Sequence, residues 1–302
     1  MAIVVTGATG QLGARVVHHL LERGAKARHV VAAGRNRDRL AEVAQHGVKH
    51  AVIDYEDPAT LQKAFGHGDT VLFVSSSALG DRMQQHRNVV EAAVEARVGR
   101  LVYTSVTKAD SVDTVLTPEH RATERLIAES GLPHTILRNN LYAEVLVRQV
   151  VEASEKNEFV TGWGRGRIAA AARDDYAEGA AAVLLDPSRD APVYELTGDT
   201  AVGGTELALI AETILDKPVS FATRTADQSE GEMALAGVPP EQRAFAIAFD
   251  QDISKGAFGD VSGTLAGLLG RPTTPLVDAI RAAMPRDLPT PPTTTATPIH
   301  GA

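Results

Sequence analysis

Three features of the sequence predict an α/β fold built on a doubly wound parallel sheet. Short β-rich apolar runs alternate with longer helical patterns through the first half of the 302-residue chain. The runs are apolar throughout rather than alternating with polar residues, which marks strands covered on both faces. The first run passes directly into Gly7-Ala8-Thr9-Gly10-Gln11-Leu12-Gly13 and then into a helix, the strand–turn–helix order of a Rossmann-type unit.

Strands are expected at residues 2–6, 29–33, 48–53, 70–75, 100–104 and 133–137, and helices at about 12–23, 37–46, 59–65, 82–96 and 118–130. In the fourth helix Val89, Val90, Ala93 and Val94 form the stripe that a sheet-covering helix needs. Asp57-Pro58 reads as an N-cap followed by a first-turn proline. Gly24, Gly47, Gly99 and Gly131 fall where helices should stop. After Asn140 the rhythm changes. A helix near 142–156, a turn from Gly162 to Gly166 and a short strand at 167–172 are expected, then a helix opening at Asp174-Asp175-Tyr176. A sheet strand at 193–196, a helix near 205–215, a strand near 219–222 and helical sequence to about Met284 follow. The division expected is a nucleotide-binding core over 1–140, a smaller, interleaved C-terminal substrate lobe over 141–284 that returns strand 193–196 to the sheet, and a disordered Pro/Thr-rich tail over 285–302.

Composition narrows the function. Thirty Lys and Arg stand against 38 Asp and Glu, a formal charge of -8, so neither nucleic acid nor an anionic membrane is expected as a partner held by bulk charge. The chain has no cysteine, which removes disulfides, thiolate zinc sites, iron–sulfur clusters and cysteine nucleophiles together. No apolar run reaches the length of a membrane span, and MAIVVTGATG enters a strand without a basic segment before it. A cytoplasmic location is the expectation.

The glycine spacing is G-x-x-G-x-x-G. The first glycine suits a tight turn, the second close approach to a diphosphate, and the third packing of helix on strand. The helix start then offers free amides and a favourable dipole to phosphate. At the end of the second strand a dinucleotide site that prefers NAD carries an acidic residue for the ribose 2′-hydroxyl. Here the chain reads Ala33-Gly34-Arg35-Asn36. Arg35 is either a clamp for a 2′-phosphate, which favours NADPH, or a solvated arginine at a helix start.

GATGQLG at 7–13, VSSS at 74–77, QHRNVVEAA at 85–93 and RLVYTS at 100–105 form one pattern with EHRATERLIAESGLPHTILRNNLY at 119–142, YELTGD at 194–199 and LLGRPTTPL at 268–276. The pattern resembles the NmrA-like branch of atypical short-chain dehydrogenases/reductases. Within it, the chain is most similar to the NADPH:quinone oxidoreductase type 2 group, with triphenylmethane dye reductases nearby. The resemblance spans residues 1–284. It implies that Gly7, Ala8, Thr9, Gly10, Gln11 and Leu12 meet the diphosphate and that Arg35 meets the 2′-phosphate. It also implies that Ser75, Ser76 and Ser77 pass along the cofactor, and that Asn139, Asn140, Leu141, Tyr142, Ala143 and Glu144 lie beside the nicotinamide. Read from the residues alone, the serines also suit a plain turn, the asparagines a strand-end cap, and Tyr142 a core position.

Ordinary members of the wider family use Tyr-x-x-x-Lys on the helix after strand five, with a hydroxyl at that strand's end. This strand ends Tyr103-Thr104-Ser105, but Leu116 stands at the tyrosine position and His120 at the lysine position. A proton-relay reductase of ketones is therefore not expected. The implied activity is hydride transfer from NADPH to a quinone-like small molecule, with no flavin and no metal, by a monomer or homodimer. Tyr142, His120 and Asn140 are the candidate catalytic residues. The alternatives are an NADP(H)-sensing regulator without turnover and a reductase of triarylmethane-type dyes.

Overall fold

The computed structural model describes residues 1–76 and 82–285. Among the described residues nine strands form: β1 (Ile3–Val5), β2 (Val30–Gly34), β3 (Lys49–Val52), β4 (Thr70–Phe73), β5 (Arg100–Val106), β6 (His134–Asn139), β7 (Glu158–Thr161), β8 (Val193–Leu196) and β9 (Ser220–Thr223). Seven make one sheet in the order β3-β2-β1-β4-β5-β6-β8, and all six pairings are parallel. The order reverses between β1 and β4, so a crevice opens at their carboxyl ends, where such sheets bind ligands.

The helices are α1 (Gln11–Glu22), α2 (Arg37–Ala44), α3 (Pro58–Ala64), α4 (Arg82–Glu95), α5 (Thr117–Glu129), α6 (Val147–Lys156), α7 (Arg173–Leu185), α8 (Gly204–Leu215), α9 (Ala226–Leu235), α10 (Pro240–Ser254), α11 (Thr264–Leu269) and α12 (Leu276–Ala283). One face of the sheet is covered by α1, α7 and α11, through Leu12, Val16, Leu20, Ala177, Ala181, Leu265 and Leu268. Small residues on α7 permit that close layer. A Cβ on Gly179 would lie 2.8 Å from a methyl of Leu265. The other face is covered by α3, α4 and α5, through Leu61, Val89, Val90, Ala93 and Ile127. A third core, containing Leu146, Phe159, Trp163, Leu207, Phe258 and Ile280, belongs to the C-terminal part.

The first-half expectations hold to within a few residues. Asp57 caps α3 through its carboxylate, which accepts the Ala59 N–H, and Pro58 opens the helix. Val94 departs from the expected stripe at 41% exposed, and Ala92 is buried in its place. Residues 167–172 do not form the strand expected. Their backbone is shared among several neighbours: Ile168 N–H donates to Val202, Ala169 to Phe258 and Ala171 to Leu141. A segment threaded between three loops bridges them without running along any one strand. A strand not anticipated, β7, follows the left-handed Asn157 at the end of α6 and pairs with β9 in a separate two-stranded sheet. The helical sequence before Met284 resolves into α9 to α12. The tail from 286 onward lies outside the described residues. Among the described residues no helix is long and apolar enough to cross a membrane, and no cluster of three or more acidic or histidine side chains is placed to hold a metal.

The α1–α7 contact carries a titrating pair. His19 on α1 lies 3.1 Å from Asp174 at the start of α7 and 3.2 Å from Glu22. The Asp174 hydrogen bond raises the imidazole above its ordinary value despite burial, and lowers Asp174 in return. The imidazole's contribution is complete below the unfolded value near 6.5 and disappears as pH rises through the higher folded value. With Asp174 half exposed, about 0.5 kcal/mol is expected, or ~1–2 °C. Wild type should therefore melt above His19→Gln at pH 6 and approach it at pH 8.5; a difference independent of pH would show that His19 does not titrate in this range.

Candidate functional site

The turn after β1 is shaped by three glycines. Gly7 takes φ +61°, in the left-handed region, and a Cβ there would press on Val74 at 3.2 Å. Gly10 N–H closes the turn on the Gly7 carbonyl at 2.8 Å. A Cβ on Gly13 would lie 2.3 Å from that same carbonyl, so α1 can start this close to β1 only with glycine there. The first turn of α1 has no side-chain cap and no acidic residue. It opens onto a cleft of about 380 Å³ lined by Gly7, Thr9, Gly10, Gln11, Leu12, Gly13, Gly34, Arg35, Asp54, Tyr55, Ser75, Ser76 and Gln85. An uncapped helix start over a glycine cradle fits a diphosphate.

Eight of the predicted residues thus share one cleft. Ala8 instead supports it from behind: its side chain is buried and its N–H donates to Ala33. Gly34 brings the end of β2 against the loop, since a Cβ there would meet Thr9 Oγ1 at 2.8 Å. Arg35 follows, exposed, and among the described residues no carboxylate pairs with it. Ser77 lies outside the described residues.

The far wall is held by polar side chains on α4. Gln85 Oε1 accepts the Ser76 hydroxyl at 2.6 Å while its Nε2 donates to Glu56. His86 Nε2 accepts the Ser76 N–H at 3.2 Å, which places the imidazole proton on Nδ1, donated to Thr123. Burial, helped by His120 and Arg82, pushes His86 down to about 3, so it stays a neutral acceptor. Asn88 Nδ2 donates to the Tyr55 carbonyl. The Tyr55 hydroxyl donates to the Val74 carbonyl and meets Thr6 Oγ1; burial raises the phenol, which stays protonated. Ser75 N–H donates to Thr104 Oγ1.

Asn139, the last residue of β6, and the residues from Asn140 to Glu144 after it do not line this cleft. Asn139 Nδ2 donates to the Tyr142 hydroxyl at 3.3 Å, and Asn139 Oδ1 is buried without a hydrogen bond among the described residues. Burial raises the Tyr142 phenol, so it too stays protonated. Asn140 is committed elsewhere: Nδ2 donates to the Phe258 carbonyl and Oδ1 accepts the Leu141 N–H. Leu141 and Ala143 are buried in the C-terminal core. Glu144 accepts the Arg173 N–H, at the start of α7. His120 turns toward the core, its Nδ1 2.8 Å from the Tyr103 hydroxyl. Burial and Arg82 push it down to about 4, so it is neutral near pH 7. The Ser105 hydroxyl donates to Glu124 and is likewise taken.

The sequence reading missed Gly34, Tyr55, Gln85, His86 and Arg173. Polar residues on the inner face of an apolar-striped helix, Gln85-His86-x-Asn88, were the available signal.

The NAD(P)H-binding family profile matches residues 7–187. Quinone oxidoreductase 2 of Escherichia coli (strain K12) is 36% identical over 278 residues, 92% of this chain and 97% of that protein. The crystal structure of the E. coli NADPH-dependent quinone oxidoreductase complexed with NADPH matches with a TM-score of 0.88 at 36% identity, over 93% of this chain and 99% of that one. That of Citrobacter sp. triphenylmethane reductase complexed with NADP(H) matches with a TM-score of 0.87 at 33% identity, over 94% of this chain and 100% of that one.

His86→Leu would remove the imidazole acceptor of the Ser76 N–H and loosen the cleft wall. Dinucleotide affinity should fall about three- to tenfold, the scale of one lost hydrogen bond in the wall of the site. In wild type the affinity should not change between pH 5 and 6 on account of His86. Unchanged binding by a folded His86→Leu protein would show that the imidazole only fills space.

Proposed function

The chain belongs to the NAD(P)H-binding family, and from that premise we propose that it is a flavin-independent reductase, using NADPH, of quinone-like acceptors. The observation that carries the reading is the pairing of a dinucleotide cleft with an empty proton-donor position. At the cleft stand an uncapped α1 and an exposed Arg35. At the place of the usual Tyr-x-x-x-Lys stand Leu116 and a His120 turned onto Tyr103.

The residues fit the cofactor. First-turn amides of α1 receive the diphosphate, and Arg35 receives the 2′-phosphate with paired charge-assisted hydrogen bonds. Ser75 and Ser76 form the wall along the ribose, held by Thr104, Gln85 and His86. The buried Asn139 Oδ1 is an acceptor that a carboxamide N–H would satisfy. NADPH supplies the hydride when bound.

The protein's own task then depends on the acceptor. Hydride addition to an unactivated ketone gives a strongly basic alkoxide, which requires a proton at the same moment. A quinone instead gives a phenolate-like oxygen whose charge spreads over the ring. A neutral hydrogen-bond donor suffices there, and water can deliver the proton afterwards. Tyr142 suits that role, because Asn139 donates to its oxygen and leaves the phenol proton free to point at an acceptor. Residues 141–284 form the acceptor-binding lobe in this reading, and Asn140 supports its backbone. The 33% identity with triphenylmethane reductase favours cationic dyes as a second acceptor class.

Purified protein without added flavin should oxidise NADPH with simple quinones and leave unactivated ketones untouched, followed by the loss of NADPH absorbance. Tyr142→Phe should lower kcat about three- to tenfold, the size of one hydrogen bond, without abolishing turnover. Ketone turnover equal to quinone turnover would contradict the reading. Tight NADPH binding with no turnover of any acceptor would favour a cofactor sensor.

A further inference from the structure

Arg173 links the two halves of the site. Its guanidinium donates through Nη1 to Gln11 Oε1, on the first residue of α1. The same group lies over the Tyr142 ring, 4.9 Å from the centroid, and 3.8 Å from Glu144 Oε1. The Arg173 N–H, at the start of α7, is 3.1 Å from both oxygens of that carboxylate. The side chain is only 14% exposed. Tyr142 meets Tyr176 edge to face, with centroids 5.4 Å apart and planes at 73°. The ring is therefore fixed by a tyrosine at one side, a cation on its face and Asn139 at its hydroxyl.

We propose that Arg173 is a positioning residue of the acceptor site: it holds the Tyr142 ring so that the phenol proton faces the acceptor, and ties that ring to the glycine loop through Gln11. The proposal rests on the quinone-reductase reading above. Its chemistry requires a planar cation. A guanidinium stacks on an aromatic face while its edge still forms hydrogen bonds in its own plane, and an ammonium cannot do both. Glu144 balances the charge from one side, which leaves the fork aligned with Gln11 rather than free to rotate. Because Gln11 also lines the cofactor cleft, any displacement of the loop is transmitted to the ring through a single side chain.

The test is steady-state turnover of 1,4-benzoquinone by full-length wild type, Arg173→Gln, Arg173→Lys, Tyr142→Phe and the double variant Arg173→Gln/Tyr142→Phe, with NADPH affinity measured by calorimetry. Arg173→Gln should lower kcat about tenfold, the scale of one well-placed cation–π contact near a reacting group, and leave NADPH affinity within about twofold. Arg173→Lys should recover little of the loss. The double variant should fall no more than about twofold below the worse single variant, because both changes remove one device. A loss of NADPH affinity with kcat unchanged would make Arg173 a diphosphate anchor and overturn the proposal, as would fully additive losses. If wild type turns over the quinone and Arg173→Gln does so equally well, the inference falls alone; if wild type turns over no quinone, the functional reading falls and takes the inference with it. Should Arg173→Gln not fold, Arg173→Met, which keeps the apolar stem, replaces it under the same criteria.

Discussion

The site depends on the contact between Gly13 and the Gly7 carbonyl. No side chain fits there, since even a Cβ would sit 2.3 Å from the oxygen. That approach sets the angle at which α1 leaves β1, and so opens its first turn onto the crevice. The rest of the loop is fastened around it. Ala8 donates to Ala33, Arg39 donates to the Thr9 carbonyl at 3.0 Å, and Thr9 packs on Gly34. Gln11 is thereby delivered to Arg173, so the geometry of one glycine turn reaches the segment after β6.

Behind the cleft the protein buries charge in a closed network. Arg138 on β6, with a side chain 7% exposed, meets Glu124 at 2.6 Å, Asp110 at 2.9 Å and Glu195 at 3.1 Å. Burial would lower the guanidinium, but its hydrogen bonds to Glu124 and the other carboxylates more than offset that. Glu195 also accepts Thr107 Oγ1 and the Lys108 N–H, and Glu124 accepts the Ser105 hydroxyl. The ends of β5, β6 and β8 are thus tied to one another. Removing Arg138 would leave the buried Glu124 carboxylate without its cation, so the network specifies geometry as much as it stabilises the fold. It also engages the Ser105 hydroxyl, near the end of β5, with Glu124.

The alternating first half was legible because its strands, the exposed edge strand β3 apart, are apolar and buried in the sheet, and its helices cover them with apolar stripes. The glycine loop was legible because its backbone demands are local. The extended segment at 167–172 was misread as a strand because its partners, Leu141, Val202 and Phe258, are distant in sequence and none joins it by more than two hydrogen bonds. Glu158 to Thr161 was passed over because its strand partner lies some sixty residues later. The polar residues of α4 carry no local signal of a site, and only the folded chain brings Gln85 and His86 to Ser76. Arg173 was invisible for the same reason: its aromatic, acidic and amide partners come from two other elements. The resemblance grouped Asn140 with Tyr142, yet their side chains engage different partners, one the Phe258 carbonyl and the other Asn139 and Arg173.

In the function proposed above, the cleft at the end of β1 and β2 receives NADPH, with Arg35 on the 2′-phosphate. Calorimetric titration of wild type and Arg35→Ala with NADPH and NADH tests it most directly. Loss of a charge-assisted contact worth about 1.5–3 kcal/mol predicts roughly a ten- to hundredfold weaker NADPH affinity in Arg35→Ala, with NADH nearly unchanged. Equal losses for the two cofactors, or none for either, would contradict it.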